Sequence, residues 1–250
     1  MTTTFHSRIC YLFTALMIAL TFAAMPWDMQ IARYFLKNDV PSLLRASLTL
    51  SEIVAHGVGT IIILVAVALL VPGGYRLTPR LGLAAFGAGL TANLGKMSVI
   101  RLRPEMINKK MTVGDTFIGW FPILEEGGLA IDRSMKSFPS GHTASAVGLT
   151  VILACFFPRG RWLFLTLGVF AAMQRVEVDA HFLSDTCAGA AIGFLIAGLC
   201  LDQRLPLPKL FSRWERPVLE SLRAHEENFT LENDTLKEST ESGTDHQQAA

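Results

Sequence analysis

Six long runs of apolar residues, separated by short polar segments, dominate this chain. A helix needs roughly 20 apolar residues to cross the hydrocarbon core of a bilayer. Runs that approach this length and hold almost no Asp, Glu, Lys or Arg cover residues 9–25, 53–75, 81–100, 137–158, 162–174 and 180–201. The pattern predicts an all-α protein built as a bundle of six membrane-spanning helices.

The segments around these runs have their own character. Arg8 precedes the first run as in a secretory signal, but the run is long and lacks a clear cleavage site, which favours an uncleaved helix. Residues 28–52 mix charged and apolar positions and predict an amphipathic surface segment. Residues 101–138 read as a long polar and aromatic loop.

Composition agrees with a membrane protein. Of 250 residues, 51% are hydrophobic and 17% are charged, which is too apolar for an ordinary soluble or disordered chain. The basic residues are scattered between apolar runs, so we expect no nucleic-acid partner. The four cysteines lie in apolar stretches without metal-ligand spacing and are read as small buried hydrophobes.

Two regions follow from the charge pattern. Residues 1–201 form the predicted membrane domain. Residues 202–250 begin with a basic juxtamembrane segment and end in an acidic tail, where residues 220–250 hold eight acidic and two basic side chains. We expect this polar C-terminal tail to be disordered.

An even number of spans places both termini on one side of the membrane. The connections 26–52, 101–136 and 175–180 then share the other side. Two short loops on the side of the termini carry arginines and no acid: Arg76 and Arg80, and Arg159 and Arg161. The positive-inside rule therefore predicts cytoplasmic termini and an extracytoplasmic opposite face.

Two charged residues, Lys96 and Asp185, lie inside the apolar runs. Each costs about 2.5–3.5 kcal/mol on insertion scales, so such residues usually face a cavity or a partner. Lys96 precedes Arg103 by seven residues, which on a helix points both cations the same way, and Pro104 then ends the helix. The alternative is that both side chains snorkel outward to the interface.

The fourth run opens with Phe138-Pro139-Ser140-Gly141-His142. A helix N-terminus has free amide groups and a dipole that favours an anion. Ser140 adds a hydroxyl donor and His142 a group that titrates near neutrality. By itself, the motif is equally typical of a helix cap with an incidental histidine.

A third cluster comprises Gln174, Arg175, His181 and Asp185. His181 and Asp185 are four residues apart, so on a helix the carboxylate can accept from one ring nitrogen and leave the other free to attack. The alternative is that His181 and Asp185 form a pair with a purely structural role. The count of spans brings all three clusters to the same side, where cations, amides, a hydroxyl and two histidines suit a phosphate group.

These residues resemble the type 2 phosphatidic acid phosphatases, whose pattern is K-x6-R-P, P-S-G-H and S-R-x5-H-x3-D. Here it reads Lys96 to Arg103-Pro104, Pro139 to His142, and Arg175 to His181 to Asp185. Three ordered motifs with matched gaps are specific. Gln174 stands where the family has Ser. Because Gln can still form hydrogen bonds, we interpret this difference as an altered tuning of the site and not as a loss of its chemistry.

The resemblance implies a role for each matched residue. His181 is the nucleophile that forms a phosphohistidine, Asp185 orients it, and His142 is the general acid. The phosphoryl oxygens are held by Lys96, Arg103, Ser140, the Gly141 amide and Arg175. No metal or other cofactor is implied, and Asp185 is the only carboxylate in the set, too few for a two-metal site.

The resulting hypothesis is an integral lipid phosphatase of a bacterial inner membrane with an extracytoplasmic active site. Its substrate is a lipid phosphate or an isoprenyl diphosphate; phosphatidic acid, phosphatidylglycerophosphate and lipid A-type glycolipids are candidates. Alternatives are a vanadium-dependent oxidoreductase like the haloperoxidases, or an anion transporter without hydrolysis. His56, close to Glu52, is either a substrate contact or bonded to a neighbouring helix. The oligomeric state stays open.

Overall fold

The computed structural model describes residues 2–108, 110–121 and 132–224, and most of them are helical. Six helices coincide with the apolar runs: α1 (Thr2–Ala24), α4 (Gly57–Leu70), α5 (Thr78–Gly95), α6 (Gly141–Phe156), α7 (Arg161–Glu177) and α8 (Leu183–Leu201). Shorter helices α2 (Asp28–Phe35) and α3 (Ser42–Ser51) link α1 to α4. A last helix, α9, covers residues 206–224.

Each of the six apolar runs overlaps most of one of these helices, which confirms their predicted helical character. Two helical stretches, His6–Phe35 and Leu183–Leu201, are long and apolar enough to cross a membrane by themselves. A third span is possible if Ser42–Val54 and Gly57–Leu70, which meet at 68°, act together. The count of six spans therefore stays a prediction.

A small β-sheet corrects the all-α prediction. Strand β1 (Val99–Arg101) pairs antiparallel with β2 (Phe117–Trp120), inside the region expected to be a loop. Helix α5 already ends at Gly95, so Lys96 and Arg103 do not share a helix as predicted. The β-branched Val99 and Ile100 favour the extended backbone that follows.

Helix α6 forms the centre of the bundle and packs against α5, α7 and α8, while α8 also packs along α1. Small residues allow the backbones to approach closely, as is typical of membrane helices. A Cβ at Gly148 would lie 2.4 Å from the carbonyl oxygen of Ala84 on α5, so only glycine fits at this crossing. The end of α6 that begins at Gly141 is thereby fixed relative to α5.

The segment 28–52 departs from the predicted surface position. Leu43 and Leu50 on α3 are exposed as expected, but the Asp28 side chain at the start of α2 is completely buried. Helix α3 packs against α7. The segment thus covers part of the bundle and sends one carboxylate into its interior.

The two termini of the bundle lie at one end, as the even count of spans requires. The hydroxyl of Tyr11 on α1 donates to a carboxylate oxygen of Asp202, just past α8, over 3.1 Å. At the same end, Arg80 on α5 forms a 2.8 Å ion pair with Glu215 on α9. Residues 225–250 and the predicted disorder of their tail lie outside the described residues.

An apolar cavity of about 790 Å³ lies between α1, α2 and α3 on one side and α6, α7 and α8 on the other. Its walls include Phe13, Leu48, Val151, Val169, Leu183 and Phe194. Leu183 directly follows the turn that carries His181. The cavity therefore reaches the end of the bundle opposite Tyr11 and Asp202.

The ion pair of Arg80 and Glu215 generates a stability prediction. Both side chains are at most 1% exposed, so removing one leaves the other charged and buried. Glu215→Ala is expected to lower the free energy of unfolding by about 3–5 kcal/mol. The measurement is unfolding of the purified protein in detergent.

Two variants serve as controls for this effect. Arg80→Met/Glu215→Leu removes both charges together and should recover most of the lost stability. Glu220→Ala removes an exposed carboxylate from the same helix and should change little. Equal losses for Glu215→Ala and Glu220→Ala would contradict the assigned role of the pair.

Candidate active site

Backbone hydrogen bonds join the three sequence motifs at one end of the bundle. The amide of Ser140 donates to the carbonyl of Asp185 over 3.0 Å, and the amide of Ser137 donates to the carbonyl of Arg101 over 3.0 Å. A Cβ at Gly189 would lie 2.3 Å from the carbonyl oxygen of Ser140, so α8 touches the start of α6 directly. The predicted convergence of the motifs is therefore present in the structure.

His181 lies in the turn before α8, and not on the helix itself as predicted. Its Nδ1 is 3.8 Å from Oδ2 of Asp185, beyond hydrogen-bond distance but within ion-pair range. The amide of His181 donates to the carbonyl of Arg175 over 3.1 Å, which fixes the turn. Since Nδ1 faces the carboxylate, Nε2 is the ring nitrogen on the opposite side of the imidazole.

The His181 side chain is almost fully buried. Burial lowers the pKa of His181, and the nearby carboxylate of Asp185 opposes this shift. A lowered pKa favours the neutral imidazole, which is the form that can act as a nucleophile.

Three hydrogen bonds hold the carboxylate of Asp185. It accepts hydrogen bonds from the Ser137 hydroxyl over 2.5 Å, from the Phe182 amide over 2.9 Å, and from the guanidinium of Arg101. These donors fix the orientation of the carboxylate. Asp185 can therefore hold its position beside His181 without depending on that histidine.

His142 occupies the first turn of α6, with its ring centroid 6.2 Å from that of His56. It lies within electrostatic range of Arg175, His181 and Lys96. The two histidines of the motifs thus share one pocket. His56, from the start of α4, borders the same pocket at the exposed side.

Three cations from the motifs line the pocket. Nζ of Lys96 lies 3.8 Å from where a Cβ on Gly141 would stand, beside the N-terminus of α6. Arg103 and Arg175 are both 8% exposed, and their charges act on each other. The Nε atoms of both arginines are buried without a hydrogen-bond partner among the described residues, which leaves donors for the oxygens of an anion.

One of the predicted phosphate contacts, Ser140, has other bonds in the structure. The Ser140 side chain is fully buried, and its oxygen accepts from the amide and the hydroxyl of Thr143 over 3.4 and 3.0 Å. Ser140 thus caps α6. Gln174 is buried, and its Oε1 has no hydrogen-bond partner within the described part of the chain.

Arg101 is the main site residue that sequence reasoning missed. Its fully buried guanidinium donates to Asp185, to Asp28 over 2.7 Å and to the Ser184 hydroxyl over 2.7 Å. It lies between the rings of Phe117 and Phe182, at 4.5 and 4.3 Å from their centroids. Its sequence position, in an expected loop, gave no sign of this burial.

Two charged residues near the pocket were also missed. Glu52 accepts a 3.1 Å hydrogen bond from the Arg175 guanidinium, although the sequence marked it only as a neighbour of His56. Arg133 is exposed and acts electrostatically on Lys96, Arg103 and Arg175. The distance of 123 positions between Glu52 and Arg175 in the sequence hid their contact.

The part of the sequence that holds the motifs is similar to known proteins. The profile of the PAP2 superfamily matches residues 79–207, about half of the chain. A lipid A 1-phosphatase from Rhizobium etli is 35% identical over 106 residues, 42% of this chain and 41% of that protein. A lipid A 4′-phosphatase from Bacteroides thetaiotaomicron is 42% identical over 59 residues, 22% of this chain and 26% of that protein.

A structural comparison finds a crystal structure of a transmembrane PAP2-type phosphatidylglycerolphosphate phosphatase from Bacillus subtilis. It is 16% identical, with a TM-score of 0.48, and covers 79% of this chain and 94% of that one. The aligned segments span less than half the length of the curated relatives. All eight residues given a catalytic or phosphate-binding role lie inside residues 79–207, whereas Asp28, Glu52 and His56 lie outside.

The Arg101 network generates a second stability prediction. Arg101→Met leaves Asp28 and Asp185 buried without their cation, so the free energy of unfolding should fall by about 3–5 kcal/mol. Arg133→Met, which removes an exposed arginine near the same pocket, is the matched control and should change stability little. Thermal unfolding in detergent measures both; equal midpoints would contradict the network's structural role.

Proposed function

Because this chain belongs to the PAP2 superfamily, we propose that it is a membrane-embedded phosphatase that removes phosphate from a lipid through a phosphohistidine intermediate. The observation that carries the proposal is the convergence of the His181–Asp185 pair, His142 and three cations at one end of the bundle. The inventory matches the needs of phosphoryl transfer: a nucleophile, a proton donor and positive charge for the phosphoryl oxygens.

In the first step, Nε2 of His181 attacks the phosphorus atom and the bond to the leaving alcohol oxygen breaks. His142, in its protonated form, gives its proton to that oxygen. The imidazole of His181 becomes positively charged as the N–P bond forms, and the carboxylate of Asp185, 3.8 Å from Nδ1, stabilises this charge.

In the second step, a water molecule attacks the phosphorus of the phosphohistidine. His142, now neutral, accepts a proton from the water, and the N–P bond breaks to restore His181. Phosphate then leaves. Lys96, Arg103 and Arg175 hold the phosphoryl oxygens in both steps, together with the amide of Gly141 at the start of α6.

A lipid substrate is supported by the surroundings of the site. The pocket lies at the end of a bundle that contains helices long and apolar enough to cross a membrane. The apolar cavity of about 790 Å³ offers space for hydrocarbon chains between the same helices. The relatives named as lipid A 1-phosphatase and lipid A 4′-phosphatase support a phosphorylated lipid as the substrate class.

The proposed location follows from the two ends of the bundle. Tyr11 on α1, Asp202 just past α8 and Arg80 share one end of the bundle, whereas the site lies at the other. With the positive-inside rule, the site faces the extracytoplasmic side of a bacterial inner membrane and both termini face the cytoplasm.

The mechanism predicts distinct effects for the two histidines. His181→Ala should abolish phosphate release from a lipid phosphate in detergent, because no nucleophile remains. His142→Ala should lower release by roughly 10²–10⁴-fold, since the leaving oxygen no longer receives a proton. Phosphate release by the purified protein is the measurement.

A trapping experiment separates the intermediate from direct attack by water. Wild-type protein quenched during turnover of ³²P-labelled substrate should carry an acid-labile, base-stable label, and His181→Ala should carry none. Lys209→Ala, on the exposed surface of α9, is the control and should behave as wild type. Full activity of His181→Ala would end the proposed mechanism.

A further inference from the structure

A sharp bend places two residues beside the pocket that the proposed mechanism does not use. Helix α3 continues into a 3₁₀ turn, Glu52–Val54, and α4 then departs at 68°. A Cβ at Gly59 would lie 2.1 Å from the carbonyl oxygen of Ile53, so glycine is required where the two segments meet. The bend holds Glu52 and His56 at the site end of the bundle.

The tautomer of His56 follows from its role as the N-cap of α4. Its Nδ1 accepts a 3.4 Å hydrogen bond from the amide of Val58. In a neutral imidazole the proton then sits on Nε2, which becomes a hydrogen-bond donor. Because His56 is exposed, that donor is available to a bound molecule.

Both residues lie where the alcohol part of a substrate would depart. His142 protonates the leaving oxygen in the proposed mechanism, and the His56 ring is 6.2 Å from the His142 ring. Glu52 contacts Arg175 over 3.1 Å, with its side chain still 35% exposed. The pair therefore offers a carboxylate acceptor and an imidazole donor just beyond the phosphate.

We propose that Glu52 and His56 form a subsite for the alcohol part of the substrate and select lipids in which a phosphorylated sugar or polyol carries hydroxyl or amide N–H groups near the phosphate. This inference rests on the proposed function. It assigns substrate choice to residues outside the segment that matches the PAP2 profile.

The selectivity has a simple physical origin. A hydroxyl or N–H group next to the phosphorylated carbon can donate to Glu52, which accepts but cannot donate when ionised. In a diacylglycerol phosphate the neighbouring oxygens are esterified and have no proton to donate. Arg175 would then be the one donor shared by Glu52 and the phosphate dianion, with no substrate donor to occupy the carboxylate, and like charges at close range are unfavourable.

The competing explanation is that Glu52 only orients Arg175. In that case its removal would disturb the phosphate contact itself, which every substrate shares. The loss would then be the same for all substrates. The ratio of kcat/KM values for two substrates therefore separates the two roles.

The experiment uses the full-length protein in detergent and two lipids with two acyl chains each: a diacylated glucosamine 1-phosphate, which has free N–H and hydroxyl groups, and dioctanoyl phosphatidic acid. We expect wild type to prefer the sugar phosphate by at least about tenfold. Glu52→Ala should lower kcat/KM for the sugar phosphate by about 10–100-fold, the range for a lost hydrogen bond to a charged group, and leave the phosphatidic acid value unchanged or higher.

Further variants test each half of the subsite. Glu52→Gln keeps an acceptor and should fall between wild type and Glu52→Ala. His56→Asn removes the imidazole but keeps a residue suited to the N-cap, and should also reduce the preference. Glu177→Ala is the matched control, because it removes a carboxylate from the same helix as Arg175. The partner of Glu177 is the half-exposed Arg45, at 2.9 Å, so this variant should leave the ratio unchanged.

The outcomes are distinguishable. Equal losses on both lipids for Glu52→Ala, no change on either, or a wild-type preference for phosphatidic acid would each overturn the subsite while leaving the phosphatase proposal intact. A wild-type protein that is folded but hydrolyses neither lipid would overturn the proposed function and the subsite with it. The thermal unfolding midpoints of all variants serve as the folding control. A variant that loses the preference should keep the midpoint of the wild type.

Discussion

The guanidinium of Arg101 holds together elements that are far apart in the chain. It bonds to Asp28 from the start of α2 and to Asp185 from the first turn of α8, and it projects from β1. All three side chains are completely buried, so each charge depends on the others for compensation. The Ser184 hydroxyl and amide also bond to Asp28, which closes the network. The position of Asp185 is thus tied to the packing of the whole site end of the bundle.

Much of the helical layout was predictable because each long apolar run coincides with a helix, and the even count of runs brought distant motifs to one end. The route of the chain between the helices was not. Lys96 and Arg103 share a face on an ideal helix, but α5 ends at Gly95 and the chain continues as a strand. His181 lies in a turn before α8, because Leu183 is the first residue of that helix. Spacing alone does not show where a helix ends.

The residues that escaped prediction share one property: their partners are distant in sequence. Asp28 bonds to Arg101 and Ser184, 73 and 156 positions away, and Glu52 bonds to Arg175, 123 positions away. A single sequence carries motifs with fixed local gaps, but not the pairing of two isolated charges. Asp28 was grouped with a surface segment for this reason. The burial of the Asp28 carboxylate is explained by its ion pair with Arg101, which the sequence does not show.

The separation of charges explains how one pocket can hold both an anion and a carboxylate. Among the described residues, the guanidinium that bonds to Asp185 is that of Arg101, so Lys96, Arg103 and Arg175 keep their hydrogen-bond donors available to a phosphate. Among the acidic side chains in the described ranges, Glu52 is the one seen to bond to a pocket cation from the motifs, and it does so from the exposed side. A bound phosphate must therefore share Arg175 with Glu52. That competition is least costly for a substrate whose own donors can occupy the carboxylate.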